Sequence, residues 1–226
     1  YAPMVLEQLE QGRAMSRDSW AYRVSDAAAL TNEQLLRADL ILCASERQRM
    51  FYLGQLAALG RLNPDTYEGD PDFAGLLSVI PFGLDSTPPE HTRNVMRGVI
   101  PGIHAEDKVI LWSGGLYDWF DLVTLISAVG ILASRRPNVR LFFQGTVHPN
   151  ANVPEMPAVR RAKQEAEKLN LLGTHVFFNT SWVEFDDRQN YLLEADLGAT
   201  THFANIETEF SFRTRMLDYL WAGLPI

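Results

Sequence analysis

From residue 39 to residue 201 the chain alternates short apolar runs with amphipathic stretches, and this alternation leaves few architectures open. The runs DLILC (39–43), SVIP (78–81), DKVILWS (107–113), NVRLFFQ (138–144), HVFFN (175–179) and DLGATT (196–201) have strand length. Most are too continuously apolar for a sheet with one wet face. Helical spacing predicts helices over about 17–37, 45–59, 119–134, 157–170 and 187–195. Strands alternating with helices give an α/β chain, a doubly wound parallel sheet covered on both faces.

Local signals sharpen two of these helices. Pro157 suits a first-turn position, small apolar residues recur at 158, 159, 162, 166 and 169, and Gly173 follows the end, so this helix belongs on the surface. The stretch Leu122 to Leu132 is apolar nearly all round, which predicts deeper burial. The alternation breaks at PFGLDSTPPEHT (81–92), where four prolines or glycines and a Ser-Thr pair mark a hinge. Residues 1–84 then read as the closing part of one domain plus that hinge, and 85–226 as a second. Both ends read as cut: the chain opens directly into the helical pattern PMVLEQLEQ and stops as GLPI would enter a strand.

Charge and composition exclude several classes. With 20 Lys+Arg against 28 Asp+Glu the net charge is -8, which argues against a nucleic-acid partner and requires any anion site to be built locally. The one cysteine, Cys43, rules out an intrachain disulfide framework and fits a reducing compartment such as the cytoplasm. No stretch reaches the ~18–20 apolar residues of a membrane span. The one D-x-D triplet, Asp70-Pro71-Asp72, sits in a turn-rich stretch and reads as chance rather than as a metal site.

Open parallel sheets bind ligands beyond the carboxyl ends of their strands. Three loops stand at such ends: GGLYDWFD with Gly114 and Gly115, which permit close backbone approach; GTVHPN with Gly145 and His148; and NTSWVEFDD, where Trp182 can flank a flat base while the backbone of Val183 reads its edge. The final stretch, ETEFSFRTRMLDYLWAGLPI, gathers two arginines and three carboxylates. Its periodicity predicts a helix with Ser211 as N-cap, Arg213 in the first turn, Met216, Leu217, Leu220 and Trp221 inward, and Arg215 with Asp218 outward. Gly223 and Pro225 end it. An arginine in a first turn makes sense where an anion is expected, and a diphosphate is such an anion.

These residues carry a resemblance. ADLILCASERQRMF (38–51), VIPFGLDSTPP (79–89), WSGGLYDWFDLVTLISAV (112–129) and the terminal EFSFRTRMLDYLWAGLPI resemble, in order and spacing, the retaining nucleotide-sugar glycosyltransferases of group 1, family 4, which pair two Rossmann-like domains in the GT-B fold. The resemblance implies a chain truncated at both ends, in which 1–84 is the end of an acceptor-side domain plus the hinge and 85–226 the donor-binding domain, incomplete at its C-terminus. It implies a glycosyl group moved from a nucleoside diphosphate sugar to a sugar or lipid-linked acceptor hydroxyl, with retention, in polysaccharide, lipopolysaccharide or glycolipid synthesis. No cofactor is implied beyond the donor, which is a substrate. Peripheral association with the inner face of the membrane would run through the missing N-terminal half.

Site roles follow by position. Asp218 stands where the family holds the donor ribose, Glu209 or else Glu207 where a carboxylate meets the transferred sugar, and Phe210 and Ser211 where backbone N–H groups meet phosphate or sugar. The chain departs from the family pattern in the first loop, where Gly115 and Phe120 replace the arginine and lysine that bind diphosphate. Glu209 and Asp218 also stand one residue further apart than the family's acidic pair. Arg213 and Arg215 are the expected replacements for the lost charge. A dinucleotide-dependent oxidoreductase would share the fold, but no G-x-G-x-x-G follows any strand. A non-catalytic sugar-nucleotide-binding or scaffold module is the alternative.

Overall fold

A computed structural model describes residues 2–146, 150, 152 and 155–226. In chain order the elements are α1 (Met4–Gln11), α2 (Arg17–Arg37), β1 (Ile41–Cys43), α3 (Glu46–Ala58), α4 (Pro64–Gly69), β2 (Leu77–Val79), β3 (Lys108–Gly115), α5 (Leu122–Ala133), β4 (Val139–Gly145), α6 (Pro157–Lys168), β5 (Val176–Phe178), α7 (Arg188–Glu194), β6 (Leu197–Gly198), α8 (Ile206–Phe210) and α9 (Arg215–Trp221). The chain divides into two compact units, one of Tyr1–Gly83 with Ala204–Arg213 and one of Leu84–Phe203 with Thr214–Ile226. No described helix is long and apolar enough to cross a membrane.

In the first unit β1 and β2 pair in parallel, Ile41 opposite Leu77 and Cys43 opposite Val79. Its core is Leu35, Cys43, Leu56, Leu76 and Leu77. Ser16 and Ser45 cap α2 and α3, accepting the amides of Ser19 and Gln48. Asp70 and Asp72 are tied to their own turn: Asp70 accepts from the amides of Gly75 and Leu76, and Asp72 from that of Ala74. The short α8 belongs to this unit because α3 holds it. Gln48 donates to the Phe210 carbonyl at 2.7 Å, Arg47 to the Glu209 carbonyl at 2.9 Å, and the Phe51 and Phe210 rings meet edge to face.

The second unit carries a four-stranded, all-parallel sheet in the order β5-β4-β3-β6. Its strand side chains divide by parity. Ile110 and Trp112 of β3, Leu141 and Phe143 of β4 and Val176 of β5 join Leu122, Ile126 and Val129 of α5 and Ala158, Val159, Ala162 and Ala166 of α6. Val109, Leu111, Phe142 and Phe177 face the other way, onto Tyr191 and Leu192 of α7 and Tyr219 of α9. Each fully buried Leu or Phe contributes roughly 1.5–3 kcal/mol, so two such layers account for why one sheet is clad on both sides. The capping signals of α6 hold: Pro157 opens it and Gly173, at φ +72, follows it.

Two expectations fail here. The helix over 122–132 is not deeply buried all round, since Ile131 is 64% exposed and Val123 and Leu132 are also exposed. It is an outer-layer helix, and its far side meets no further layer among the described residues. The final helix begins at Arg215, after the N-cap Thr214, so Arg213 precedes it, and Ser211 is the C-cap of α8 rather than an N-cap. Its inward residues are Arg215 and Tyr219, while Leu220 is 61% exposed. The face is set by Tyr219, whose hydroxyl accepts from the Ser113 amide at 3.0 Å and lies within hydrogen-bonding distance of the Leu111 and Ala199 carbonyls. At the end of α9, Gly223 takes φ +64 and the Leu224 amide returns to the Tyr219 carbonyl.

Candidate functional site

Chain order runs β3, β4, β5 outward in one direction and then jumps to β6 on the other side of β3, so the order reverses at β3. Crevices form at such reversals, beyond the carboxyl ends of the strands. Here the corner between β3 and β6 is stitched shut. Phe120 bridges His202, the Asp121 amide donates to the Thr201 carbonyl, and the Thr201 hydroxyl donates back to the Asp121 carbonyl at 2.6 Å. The opening is displaced toward β4 and β5, as a crevice of about 680 Å³ within the second unit.

Its floor is backbone. Gly114, at φ +79, lies in a register shift near the end of β3, and a Cβ on Gly145 would stand 2.2 Å from the Gly114 carbonyl oxygen. No other residue fits at 145 without separating the two strands. Trp182, half exposed, with Val183, Glu184 and Phe185, forms one wall, and Tyr117, Thr146, Glu155 and Met156 another. Buried Asn179 holds the β4 and β5 loops together, donating to the carbonyls of Gln144 and Ser181. His148, in the loop after β4, lies outside the described residues.

Arg188 and Asp218 complete the lining. Arg188 Nε stands 3.5 Å from Asp218 Oδ1, and its guanidinium is held between the rings of Phe185 (3.5 Å) and Trp221 (4.7 Å). Burial pushes the Asp218 carboxyl above the usual aspartate range, and the nearby Arg188 and Arg215 only partly counter it. Burial of the carboxylate thus outweighs the attraction of both arginines.

Of the residues singled out from sequence, Gly114, Gly115, Gly145, Trp182, Val183 and Asp218 all line this crevice. Arg215 lies in the same unit but is not among the lining residues. It is buried beneath the loop, stacked 4.2 Å over Trp112 and 4.6 Å from Phe120, and it donates to the Gly115 carbonyl at 3.1 Å. The outward placement read from the helical wheel is thus reversed, because an aromatic floor of Trp112 and Phe120 accepts a guanidinium face. Glu207, Glu209, Phe210, Ser211 and Arg213 fall in the first unit. There Arg213 forks onto both oxygens of the buried Glu207 carboxylate, at 2.9 and 2.6 Å. The Ser211 amide closes α8 on the Glu207 carbonyl rather than being left for a phosphate. Sequence reasoning missed Arg188 and Phe185. The available signal was their i,i+3 spacing at a helix start, F-D-D-R, which stacks a ring on a guanidinium.

No protein-family model matches the chain, and no curated protein matches it in sequence. Solved structures match it in fold. A UDP-forming α,α-trehalose-phosphate synthase from Burkholderia xenovorans superposes with a TM-score of 0.63 at 15% identity, over 90% of this chain and 48% of its own. A TarM mutant of S. aureus, in complex with fondaparinux, α-GlcNAc-glycerol and UDP, gives 0.55 at 13% identity over 88% of this chain and 31% of its own. Sucrose-phosphate synthase from Thermosynechococcus elongatus gives 0.52 at 17% identity over 87% and 42%. The fold is therefore the α/β, Rossmann-like one found in GT-B glycosyltransferases. This chain spans less than half the length of each of these structures.

Proposed function

We propose that the crevice of the second unit is the donor site of a retaining glycosyltransferase, which moves a sugar from a nucleoside diphosphate sugar to an acceptor hydroxyl on a sugar or lipid-linked acceptor. The observation that carries this reading is one arrangement: a glycine backbone floor, a rim tryptophan and an Arg188–Asp218 pair at the carboxyl ends of parallel strands. In it, Trp182 flanks the base and the Val183 backbone reads its edge. Asp218, an acceptor-only group when ionised, holds the pentose diol. Gly114 and Gly115 let the diphosphate approach the main chain. Glu209 keeps the role the family resemblance gives it, contacting the transferred sugar. Glu207 is less suited, since Arg213 already occupies its carboxylate.

As the glycosidic bond breaks, negative charge grows on the leaving diphosphate, and fixed donors aimed at that charge lower the barrier more than they stabilise bound substrate. The reading includes no metal cofactor. It places the reaction in polysaccharide, lipopolysaccharide or glycolipid synthesis, in the cytoplasm at the inner membrane face. A non-catalytic sugar-nucleotide-binding module is the second reading, favoured by the loss of both cations from the β3 loop.

A thermal-shift panel of UDP, GDP, ADP and their sugars tests the site. A nucleotide present at a hundred times its dissociation constant adds about 2.7 kcal/mol of stability. At about 2–4 °C per kcal/mol that is a shift of roughly 5–11 °C. A panel in which no nucleotide moves the melting temperature overturns the reading. Saturable binding without donor turnover in the presence of sugar acceptors moves the conclusion to the binding module.

A further inference from the structure

Resting on the nucleotide reading above, we propose that Arg188 is the group that binds the donor's diphosphate, so that the charge missing from the β3 loop is supplied from the start of α7. The three arginines that are candidates for this task have separate fates. Arg213 is forked onto Glu207, and Arg215 is buried under the Gly115 carbonyl against Trp112 and Phe120. Among the described residues that line the crevice, Arg188 is the one cation.

Its geometry suits the task. The stack between Phe185 and Trp221 and the Nη1 bond to the Phe185 carbonyl at 2.8 Å fix the plane of the guanidinium. Little rotamer freedom is left to lose when an anion arrives. Its Nη2 donates to no group among the described residues, and its Nε contact to Asp218, at 3.5 Å, is longer than the 2.7–2.9 Å of a strong charge-assisted bond. A guanidinium and a carboxylate side by side also match what a nucleoside diphosphate presents in sequence, an anionic phosphate next to a pentose diol.

The competing role is structural, with Arg188 merely joining α7 to α9. Affinities measured against phosphate number separate the two. Wild type, Arg188→Gln and Arg188→Lys are titrated calorimetrically with a nucleoside, its monophosphate and its diphosphate, using the base selected by the thermal-shift panel. The inference expects Arg188→Gln to weaken the diphosphate by about 10–100-fold, the monophosphate by less and the nucleoside hardly at all. It also expects a shallower salt dependence for the diphosphate, with Arg188→Lys recovering part of the loss. Equal loss for all three ligands assigns Arg188 to structure and overturns the inference, as does unchanged diphosphate affinity. If wild type binds none of the ligands, the nucleotide reading itself falls first. If wild type binds and Arg188→Gln binds equally well, only the Arg188 assignment falls.

Discussion

Arg215 and Gly115, a hundred positions apart in the chain, are joined by a hydrogen bond of 3.1 Å from the guanidinium to the main-chain carbonyl. The bond ties the first residue of α9 to the last of β3 and so sets the height of the crevice floor. The same guanidinium lies over Trp112, which is itself completely buried and holds its indole N–H toward the Gly115 carbonyl at 3.4 Å. Arg215 thus supports the loop from beneath and does not itself line the crevice.

Replacing Arg215 by alanine is expected to remove a desolvated cation–π contact and a charge-assisted bond, costing about 2–4 kcal/mol of stability. Arg215→Lys should recover little, because an ammonium cannot stack flat on the indole while reaching Gly115. Urea denaturation of the three proteins checks this. A variant with wild-type stability but weakened nucleotide binding would instead place Arg215 in the ligand shell.

Tyr219 offers a narrower test. It is fully buried, and its hydroxyl serves the Ser113 amide and sits by the Leu111 and Ala199 carbonyls, joining α9 to β3 and to the end of the edge strand β6. Tyr219→Phe keeps the ring and leaves those main-chain groups short of a partner, at a cost of about 1–3 kcal/mol. Its thermal midpoint should fall, and amide exchange at Ser113 should speed up more than at residues of β5. Protection at Ser113 equal to wild type would contradict the bond.

Most of the layered core was legible because its signal is local. All six strand runs and all five helices over 17–195 rest on apolar continuity or 3.6-residue spacing, and each has a counterpart in the structure. The wheel of α9 misled for a physical reason: it counts arginine as polar and cannot know that Trp112 and Phe120, a hundred residues earlier, offer faces for a guanidinium. The segment 204–213 misled likewise. Its attachment depends on Gln48 and Arg47 bonding main-chain carbonyls 162 residues away, a pairing that no periodicity encodes. Gly114, Gly145 and Trp182 were readable as lining residues because strand ends are where such crevices open, whereas Arg188 was hidden among charges at an ordinary helix start.

Glu194 predicts acid sensitivity. Its side chain is 4% exposed. Burial by itself would raise its pKa, but the amides of Arg97, Val95 and Met96 together with His91 outweigh that and bring it below the usual glutamate range. A depressed carboxyl stabilises the fold above its unfolded value of about 4.3, and this contribution is lost as pH falls through the folded value. Glu194→Gln should therefore be less stable than wild type by about 1–3 kcal/mol near pH 7, since its amide group cannot accept from all three N–H donors. The gap should close progressively below about pH 4.3. A gap that stays constant from pH 7 to pH 3 would show that shape, not charge, is what the 95–97 turn requires.

Asp218 carries the opposite sign, and two readouts should move against each other. Its carboxyl is raised chiefly by burial, so the fold favours the protonated form and ionised Asp218 weakens the folded state at neutral pH. That penalty disappears as pH falls through the folded value toward the unfolded value of about 3.9. Asp218→Asn is expected to melt slightly higher than wild type at pH 7, on the order of 1–2 °C given its partial exposure, and to lose this advantage in acid. Binding should go the other way. If the ionised carboxylate grips a pentose diol, the asparagine variant loses a charge-assisted acceptor, and nucleoside affinity drops about tenfold or more. Wild-type affinity should fall as acid protonates Asp218, while that of the variant stays flat across the same range. A variant that melts lower and binds nucleoside unchanged would reverse both expectations, making the Asp218 contact with Arg188 a structural ion pair and leaving the diol without its proposed partner.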